Sequence, residues 1–528
     1  MATADSQPVA PNAHRLLYAG FMAILAAGVG YSVRAGILGQ WAEQFGFTMT
    51  ELGQITGGGL TGFGIVIIVT SLLADKVGYG KVMALALLLH FLSAVITLAA
   101  PAAFESGGKS AAFQCLFWGM FIFAIGNGLC EAVVNPLTAT LFPRNKTHYL
   151  NILHAGWPAG LVLGGLASAF MAAQVDSTGA IVAQATDWRI QISLFLIPVI
   201  IYGGLILGQR FPKSEAASAG VSMGEMVGTL FAPLMLFLLL IHAMVGYVEL
   251  GTDSWIAKIT GSIMGSNARG LALFVYTSTL MFILRFVAGP IVHKISPLGL
   301  LFVSAVLGCI GLTLLGNANA VVMCVVAATV YACGKTFLWP TMLAVASERF
   351  PKGGAVSIGM LGGVGMLSAG LLGGPAIGFQ QDFYASQYLK QESAETFERY
   401  RADEKNSFLG FEAVGLNGAK VGVLDDNGKE LARAGELLVS QNKTDPNQEK
   451  LAAWWAGAAE HAAADKPLVT TAGIFGGKRA LQLTAMVPAT LAVCYLLLII
   501  GFRLAGGYKP VIIAQEVTDP EALGTAES

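Results

Sequence analysis

Charge is scarce in this sequence. Of 528 residues only 12% are Asp, Glu, Lys or Arg, the net charge is −1, and 55% are hydrophobic, with a mean hydropathy of +0.66. So little charge cannot cover the water-facing surface of a soluble chain this long, and lipid has to serve as solvent. There is no basic excess, and Lys and Arg are scattered through short stretches, which excludes a nucleic-acid surface. Cysteine is sparse too: Cys115, Cys130, Cys309, Cys324, Cys333 and Cys494 all lie in apolar stretches without metal-ligand spacing. Neither a disulfide framework nor a metal centre is expected. The sequence has no phosphate-binding glycine loop, no nucleophile elbow and no His/Cys cluster, so we expect no enzyme, no ATP-driven pump and no cofactor. The first fourteen residues contain no Lys or Arg, and the apolar run after Arg15 is too long for a signal-peptide core, so a retained first span is expected.

What the chain does have is long apolar runs. About 20 helical residues cross a hydrocarbon core of about 30 Å. Runs of that kind lie near residues 16–40, 52–74, 82–101, 113–141, 150–172, 189–209, 229–251, 270–292, 298–316, 320–346, 355–379 and 479–503, giving an all-α membrane protein of twelve spans. Arg15, Lys76, Lys81, Arg144, Lys146, Arg210, Lys213, Lys294, Arg349, Lys352, Arg503 and Lys509 fall on one side, against Lys109, Arg189, Lys258 and Arg269 on the other. The positive-inside rule then places both termini in the cytoplasm of a cell's inner (plasma) membrane.

A polar break at 210–228, with Lys213, Ser214, Glu215 and Ser218, divides the spans six and six. The expected organisation is an N-terminal half (1–209), a cytoplasmic linker (210–228), helices 7–11 of the second half (229–379), an extracytoplasmic insert (380–478), and helix 12 with a cytoplasmic tail (479–528). The halves echo each other. Glu131 and Asn135-Pro136 in span 4 have the spacing of Lys335 and Trp339-Pro340 in span 10, and both spans end in an aromatic-Pro-basic step, Phe142-Pro143-Arg144 and Phe350-Pro351-Lys352. Two related six-helix halves suit a carrier that rocks around a midplane site. In the insert, residues 381–402 and 448–464 pattern as helices and 419–424 as a strand before the turn signal Asp425-Asp426-Asn427-Gly428. A small folded cap is expected there, with disorder as the alternative.

After span 2 the chain reads SLLADKVGYGK, in which Asp75, Lys76, Gly78 and Lys81 form a tight charged turn. After span 8 a partner stretch carries Arg285, Phe286, Gly289, His293, Lys294 and Pro297. The first stretch resembles the loop signature of the major facilitator superfamily, and both are expected to act as a cytoplasmic gate, with simple charge anchoring as the plainer alternative. Within that superfamily four further stretches resemble the fucose:proton symporter family, which imports hexoses and related sugars. They are Gly126-Asn127-Gly128 with Glu131 and Asn135-Pro136; Leu150-Asn151 with His154; Glu249 with Ser254-Trp255; and the Arg-Phe-x-x-Gly and Ser-Pro pattern of span 8. The resemblance implies the major facilitator fold and a secondary transporter. At span 1 that family carries an Asn-Asp pair whose acid takes part in proton coupling, and the matching positions here are Arg34-Ala35.

Charges at the bilayer centre cost roughly 2.5–3.5 kcal/mol on insertion scales, so Glu131, Arg34 and Lys335 are the informative candidates. Glu131 lies about 15 Å of helix from the cytoplasmic end of span 4, where it can serve as a reversible proton site or as half of a structural pair with Arg34 or a Lys. Arg34, about 28 Å beyond Arg15, either faces a cavity or anchors at the interface. Lys335, about 21 Å from Arg349, is placed to pair with Glu131 across the halves. Asn135, His154, Gln40, Asn127, Trp339 and Glu249 are further candidates for binding or coupling, since amides and aromatic faces suit sugar hydroxyls and CH surfaces, though single polar residues in bundles also serve packing. The expected function is secondary transport of a small polar solute, with a neutral sugar implied by the resemblance and protons taken up at Glu131. An anionic sugar acid or carboxylate held by Arg34 and Lys335 is the alternative. A membrane sensor that uses the insert as a binding module is the third reading. The expected partners are the solute, protons and the bilayer, and the expected state is a monomer.

Overall fold

The computed structural model describes residues 10–511 and 513, apart from 48, 58, 173, 176–180, 184 and 441–443. The end of the expected cytoplasmic tail, 514–528, lies outside the described residues. Among the described residues twelve helices are long and apolar enough to cross a membrane: Ala13–Arg34, Gln54–Val77, Tyr79–Leu98, Ala100–Leu141, Lys146–Met171, Trp188–Ile206, Pro233–Ile263, Asn267–Arg285, Ala288–Asn317, Val321–Arg349, Pro351–Glu392 and Pro446–Leu504. They are spans 1 to 12 below. Their outward faces carry exposed Leu, Ile, Val and Phe such as Ile65, Leu88, Val95, Leu163, Leu240 and Leu497, as a surface solvated by lipid requires.

Apolar side chains gain little by leaving lipid for another helix, so the spans associate through close backbone packing. Spans 1 and 5 show how glycine makes this possible: a Cβ on Gly160 would lie 2.5 Å from the carbonyl oxygen of Leu25, and one on Gly28 would lie 2.5 Å from that of Trp157. Within the first six helices span 4 packs on spans 2 and 3, and within the last six span 9 packs on span 10. The halves meet where span 2 runs along span 11 and where span 5 touches spans 8 and 10. Span 4 is kinked at Gly108 (φ 67°), and span 9 bends at Ser296 (φ 67°) just before Pro297.

Both described ends of the chain lie on one face of the bundle. The Asn12 amide donates to Gln209 Oε1 and to the carbonyl of Arg210, each at 3.1 Å, and the Tyr508 hydroxyl donates to Glu348 at 2.6 Å. We call this the terminal face and the opposite one the insert face.

The insert is an outgrowth of the bundle. Spans 11 and 12 continue past their apolar segments as a helical pair, joined where Tyr388 stacks on Phe475 with ring centroids 4.9 Å apart. Between the apolar segments of these two spans lie helices α1 (Ala394–Tyr400), α2 (Gly418–Asp426), α3 (Lys429–Ser440) and α4 (Pro446–Ala458), and a hairpin of strands β1 (Asn406–Phe408) and β2 (Phe411–Ala413). Leu389, Phe397, Tyr400, Leu424 and Val469 form a small separate core, with Trp454 and Trp455 against it. The strand expected at 419–424 is corrected to helix α2: the Asn417 side chain caps it by accepting from the amides of Ala419 and Lys420. The turn signal that follows serves as the helix stop, with Asn427 at φ 59° and Gly428 at φ 78°.

Asp465, 1% exposed, is held in this core by Arg399 Nη2 at 2.7 Å, Arg399 Nε at 2.8 Å and the Thr396 hydroxyl at 2.9 Å. Replacing Arg399 by Ala leaves a buried carboxylate without its cation, although water reaches part of the Arg399 side. We expect Arg399→Ala to cost the insert about 1–3 kcal/mol, read as faster hydrogen exchange across Ala394–Tyr400 with protection in spans 1–10 unchanged.

Candidate functional site

A cavity of about 350 Å³ lies between the halves on the insert side of the midplane. Tyr31, Arg34, Phe63, Phe123, Asn127 and Trp157 line it from the first half, and Ser254, Ala369, Gly370 and Gly374 from the second. Its charged wall is Arg34, which is 2% exposed. One guanidinium nitrogen, Nη1, donates to the carbonyl of Gly30 one turn back at 3.1 Å, and the group lies 3.7 Å from the centre of the Phe123 ring. Nε and Nη2 have no hydrogen-bond partner. Among the described residues the other buried cations outside the insert each face a carboxylate: Lys146 meets Glu215, Arg285 meets Glu249 and Lys335 meets Asp253.

Toward the terminal face the halves close on each other. Arg285 of span 8 makes the central contact: its Nη2 donates to Glu249 at 2.9 Å, its Nε to the carbonyl of Thr336 at 3.0 Å, and its Nη1 to the carbonyl of His154 in the opposite half. Next to it the Asn151 amide donates to Thr341 Oγ1 at 3.3 Å. At the rim Thr147 reaches Glu348 at 3.5 Å and Lys146 reaches Glu215 of the linker at 2.9 Å. The charged turn after span 2 joins this seal, since a Cβ on Gly354 of the second half would lie 3.1 Å from Asp75 Oδ2.

Behind the cavity runs a chain of polar groups. Glu131 Oε2 accepts from the Asn135 amide at 2.7 Å, and Asn135 Oδ1 meets His154 Nε2 at 2.8 Å. Because the amide nitrogen faces Glu131, the oxygen faces the imidazole, which assigns the donated proton to Nε2. The chain therefore runs Glu131, Asn135, His154, and the backbone of His154 carries the Arg285 contact.

Two π-helical turns shape the second half of the site, Tyr247–Gly251 in span 7 and Ala369–Gly373 in span 11. Single π turns inside α-helices collect at functional sites. Here they press together, a Cβ on Gly251 lying 2.7 Å from Gly373 Cα, and the first carries Glu249 into the bundle.

With this geometry in hand, the sequence signature of the Major Facilitator Superfamily matches residues 20–374, well over half of the chain. The chain belongs to the Major Facilitator Superfamily. It is accordingly a multi-pass membrane protein of a transporter superfamily. No curated protein matches it in sequence. Among solved structures it is similar to FucP, a fucose:proton symporter of E. coli, in the outward conformation, with 17% identity and a TM-score of 0.56 over 70% of this chain and 92% of that one. It is similar to a bacterial homologue of the human lysosomal transporter Spinster, inward-facing and unoccupied, with 15% identity and a TM-score of 0.60 over 96% and 100% of the two chains. It is also similar to the proton:xylose symporter XylE bound to 6-bromo-6-deoxy-D-glucose, with 14% identity and a TM-score of 0.54 over 69% and 87%. At these identities the likeness is one of fold.

In this facilitator fold the candidate residues separate into groups. Arg34 and Asn127 line the cavity, and Glu131, Asn135 and His154 form the chain behind it. Asn127 Oδ1 also meets His90 Nε2 at 3.0 Å, and His90 Nδ1 meets the Tyr202 hydroxyl at 2.8 Å. Gln40 ties span 1 to the carbonyl of Thr186 in the loop before span 6, away from the cavity lining. Trp339 packs against His242 with ring centroids 4.6 Å apart and does not line the cavity either. Lys76, Lys81 and Lys294 are exposed on the terminal face, and Gly78, at φ 93°, opens span 3.

Two expectations are corrected. Lys335 pairs with Asp253 of its own half, not with Glu131, because span 7 presents that acid beside it. Arg34 is buried at the cavity, so it is not an interfacial anchor, and it pairs with no carboxylate among the described residues. Arg285, expected in the gate, is buried, and each of its three nitrogens donates inside the bundle, one of them to the opposite half. Asp253 is the residue that sequence reading passed over. It lies four residues after Glu249, so both acids project from one side of span 7, and a second acid inside an apolar span is itself a signal.

Arg285→Gln leaves Glu249 buried without a cation and removes the contact with His154. We expect a loss of about 3–5 kcal/mol in thermal stability of the purified protein, partial recovery in the Arg285→Gln/Glu249→Gln double variant, and faster alkylation of a cysteine placed at Asn151.

Proposed function

We propose that this chain is a secondary active transporter working by alternating access, which takes up a small hydroxylated solute bearing a carboxylate, a sugar acid, together with a proton. The positive-inside distribution of Lys and Arg supports placing the terminal face in the cytoplasm of the inner (plasma) membrane. On that orientation the cavity belongs to an outward-facing state, and the seal around Arg285 is the closed cytoplasmic gate. The two halves, joined by the linker 210–228, rock about the cavity.

One observation carries the substrate class: Arg34 lines the cavity, two of its guanidinium nitrogens are buried without a hydrogen-bond partner, and among the described residues no carboxylate pairs with it. A buried cation needs compensation, and a ring face supplies only part of it. A carboxylate accepts two parallel hydrogen bonds from such a fork and supplies the missing charge. The Asn127 amide and the Ser254 hydroxyl, with the ring of Trp157, suit the hydroxyls and CH face of a sugar frame. A cavity of about 350 Å³ falls at the small end of ligand sites, as a monosaccharide requires.

Among the described residues Glu131 is the buried carboxylate of the first half, and its side chain accepts from the Asn135 amide. With a proton on Glu131 and an anion on Arg34, the loaded site carries no uncompensated charge, which is the condition for passing through a closed, low-dielectric intermediate. One proton moving with one monoanion transfers no net charge. Uptake should therefore follow a pH gradient and be indifferent to membrane potential.

A neutral sugar is the second reading, favoured by the fold shared with FucP and XylE and by the amide and aromatic lining. Carried with one proton, it would make transport electrogenic.

The test is uptake of labelled hexuronates and hexoses into proteoliposomes under an imposed pH gradient, or under a potassium-diffusion potential at equal pH. We expect acids to accumulate with the pH gradient alone. Arg34→Gln should raise the KM for the acid about 10- to 100-fold, the value of a hydrogen bond to a charged group. Glu131→Gln should abolish accumulation while leaving acid exchange intact. Potential-driven uptake of hexoses that uronates do not inhibit, unchanged in Arg34→Gln, would establish the neutral-sugar reading instead.

A further inference from the structure

The hairpin β1–β2 of the insert has a turn that water alone does not account for. Its register pairs Asn406 with Ala413, Ser407 with Glu412 and Phe408 with Phe411, leaving Leu409-Gly410 as a two-residue turn with φ of 49° and 86°. Both turn residues occupy the left-handed region, where Asn, Asp and Gly are favoured and a bulky side chain is strained. Leu409 is nevertheless 74% exposed, and Phe411 beside it is 71% exposed. On conformational and on hydration grounds an aqueous loop would carry Asn at the first of these positions.

The hairpin's direction explains the choice. The Asn406 amide donates to Asp382 Oδ2 at 3.0 Å, and the Phe408 ring lies 6.2 Å from that of Phe379. Span 11 leaves the bilayer with rising residue number, so a strand that meets Asp382 first and Phe379 next is running back toward the membrane. The turn lies beyond Phe408, at the level where the apolar part of span 11 ends. Leu372 is about two helical turns deeper than Phe379 on the same side of span 11, and it is exposed on the lipid-facing surface. The hairpin thus hangs over a helix face that lipid covers, and the tip continues that apolar surface. Lys405, just before the hairpin, pairs at 2.9 Å with Glu412 of the middle rung, so the charge nearest the tip is matched.

We infer that the β1–β2 hairpin is a lipid anchor: Leu409 and Phe411 enter the insert-face leaflet and fasten the insert to the membrane beside span 11. The side chains of a hairpin tip reach only the interfacial zone, where apolar and aromatic groups gain by leaving water while the backbone of the turn keeps its access to headgroups and water. The inference rests on the membrane topology of span 11 and not on the proposed substrate or coupling.

The test uses the full-length protein with its native cysteines replaced, an environment-sensitive fluorophore on Leu409→Cys, Phe411→Cys or, as a distant control in the insert, Lys429→Cys, and reconstitution into phosphatidylcholine vesicles with or without chains brominated near the headgroup. We expect blue-shifted emission and severalfold stronger bromine quenching at positions 409 and 411 than at 429. Leu409→Asn, which suits the left-handed turn and so preserves the fold, should lower the quenching of a fluorophore at 411 severalfold. Quenching at 409 and 411 no greater than at 429 would overturn the proposal. So would a blue shift that appears only at high protein-to-lipid ratio with energy transfer between labelled copies, since the tip would then be covered by a second copy of the chain.

Discussion

The bundle depends on the Arg285 guanidinium. In a low-dielectric interior a cation that cannot lose its proton must be matched by a carboxylate and must spend its donors. Glu249 supplies the charge, while the remaining donors go to two carbonyls, one at the break in span 10 and one at the break in span 5. Those breaks are what make the carbonyls available, because an unbroken helix uses its carbonyls internally. One side chain therefore joins span 8 to three other helices and links both halves. The cavity exists because the halves are held together on the terminal side of Arg285 and stand apart on the other.

The same economy of polar groups distinguishes Arg34 from the other buried cations. Lys335 and Arg285 are compensated within the second half by two acids of span 7, Asp253 and Glu249, so each cation there has its counter-charge. The first half holds Arg34 and Glu131 without joining them: Phe123 lies under the guanidinium, and an amide meets the carboxylate. An open network of this kind weakens a protein that stays in one state and serves one that must accept a charged ligand and a proton. The π turns of spans 7 and 11 belong to the same arrangement, since the extra residue in each turn brings Gly251 against Gly373 and turns Glu249 inward.

The insert follows different physics. It has a hydrophobic core of its own, capped helices and an ion pair around Asp465, and it is joined to the bundle through the two spans that grow into it. Its helix α2 carries the lesson of a short ambiguous run: residues 419–424 alternate well enough to suggest a strand, but Asn417 before them and Asn427-Gly428 after them are a helix cap and a helix stop.

The sequence by itself determined the number of spans, their order and the division into two six-helix halves, because apolar length against bilayer thickness is a one-dimensional constraint that each segment satisfies alone. It also marked Glu131, Arg34, Lys335 and Glu249, since charge inside an apolar run is conspicuous without any knowledge of neighbours. Which charge meets which was decided by tertiary structure alone. Pairing depends on distances between helices remote in sequence, so Lys335 found Asp253 instead of Glu131, Arg285 found Glu249, and Arg34 was left lining the cavity. The lipid-directed hairpin was illegible for the same reason: the exposure of Leu409 means nothing until Asp382 and Phe379 show which way the strand runs.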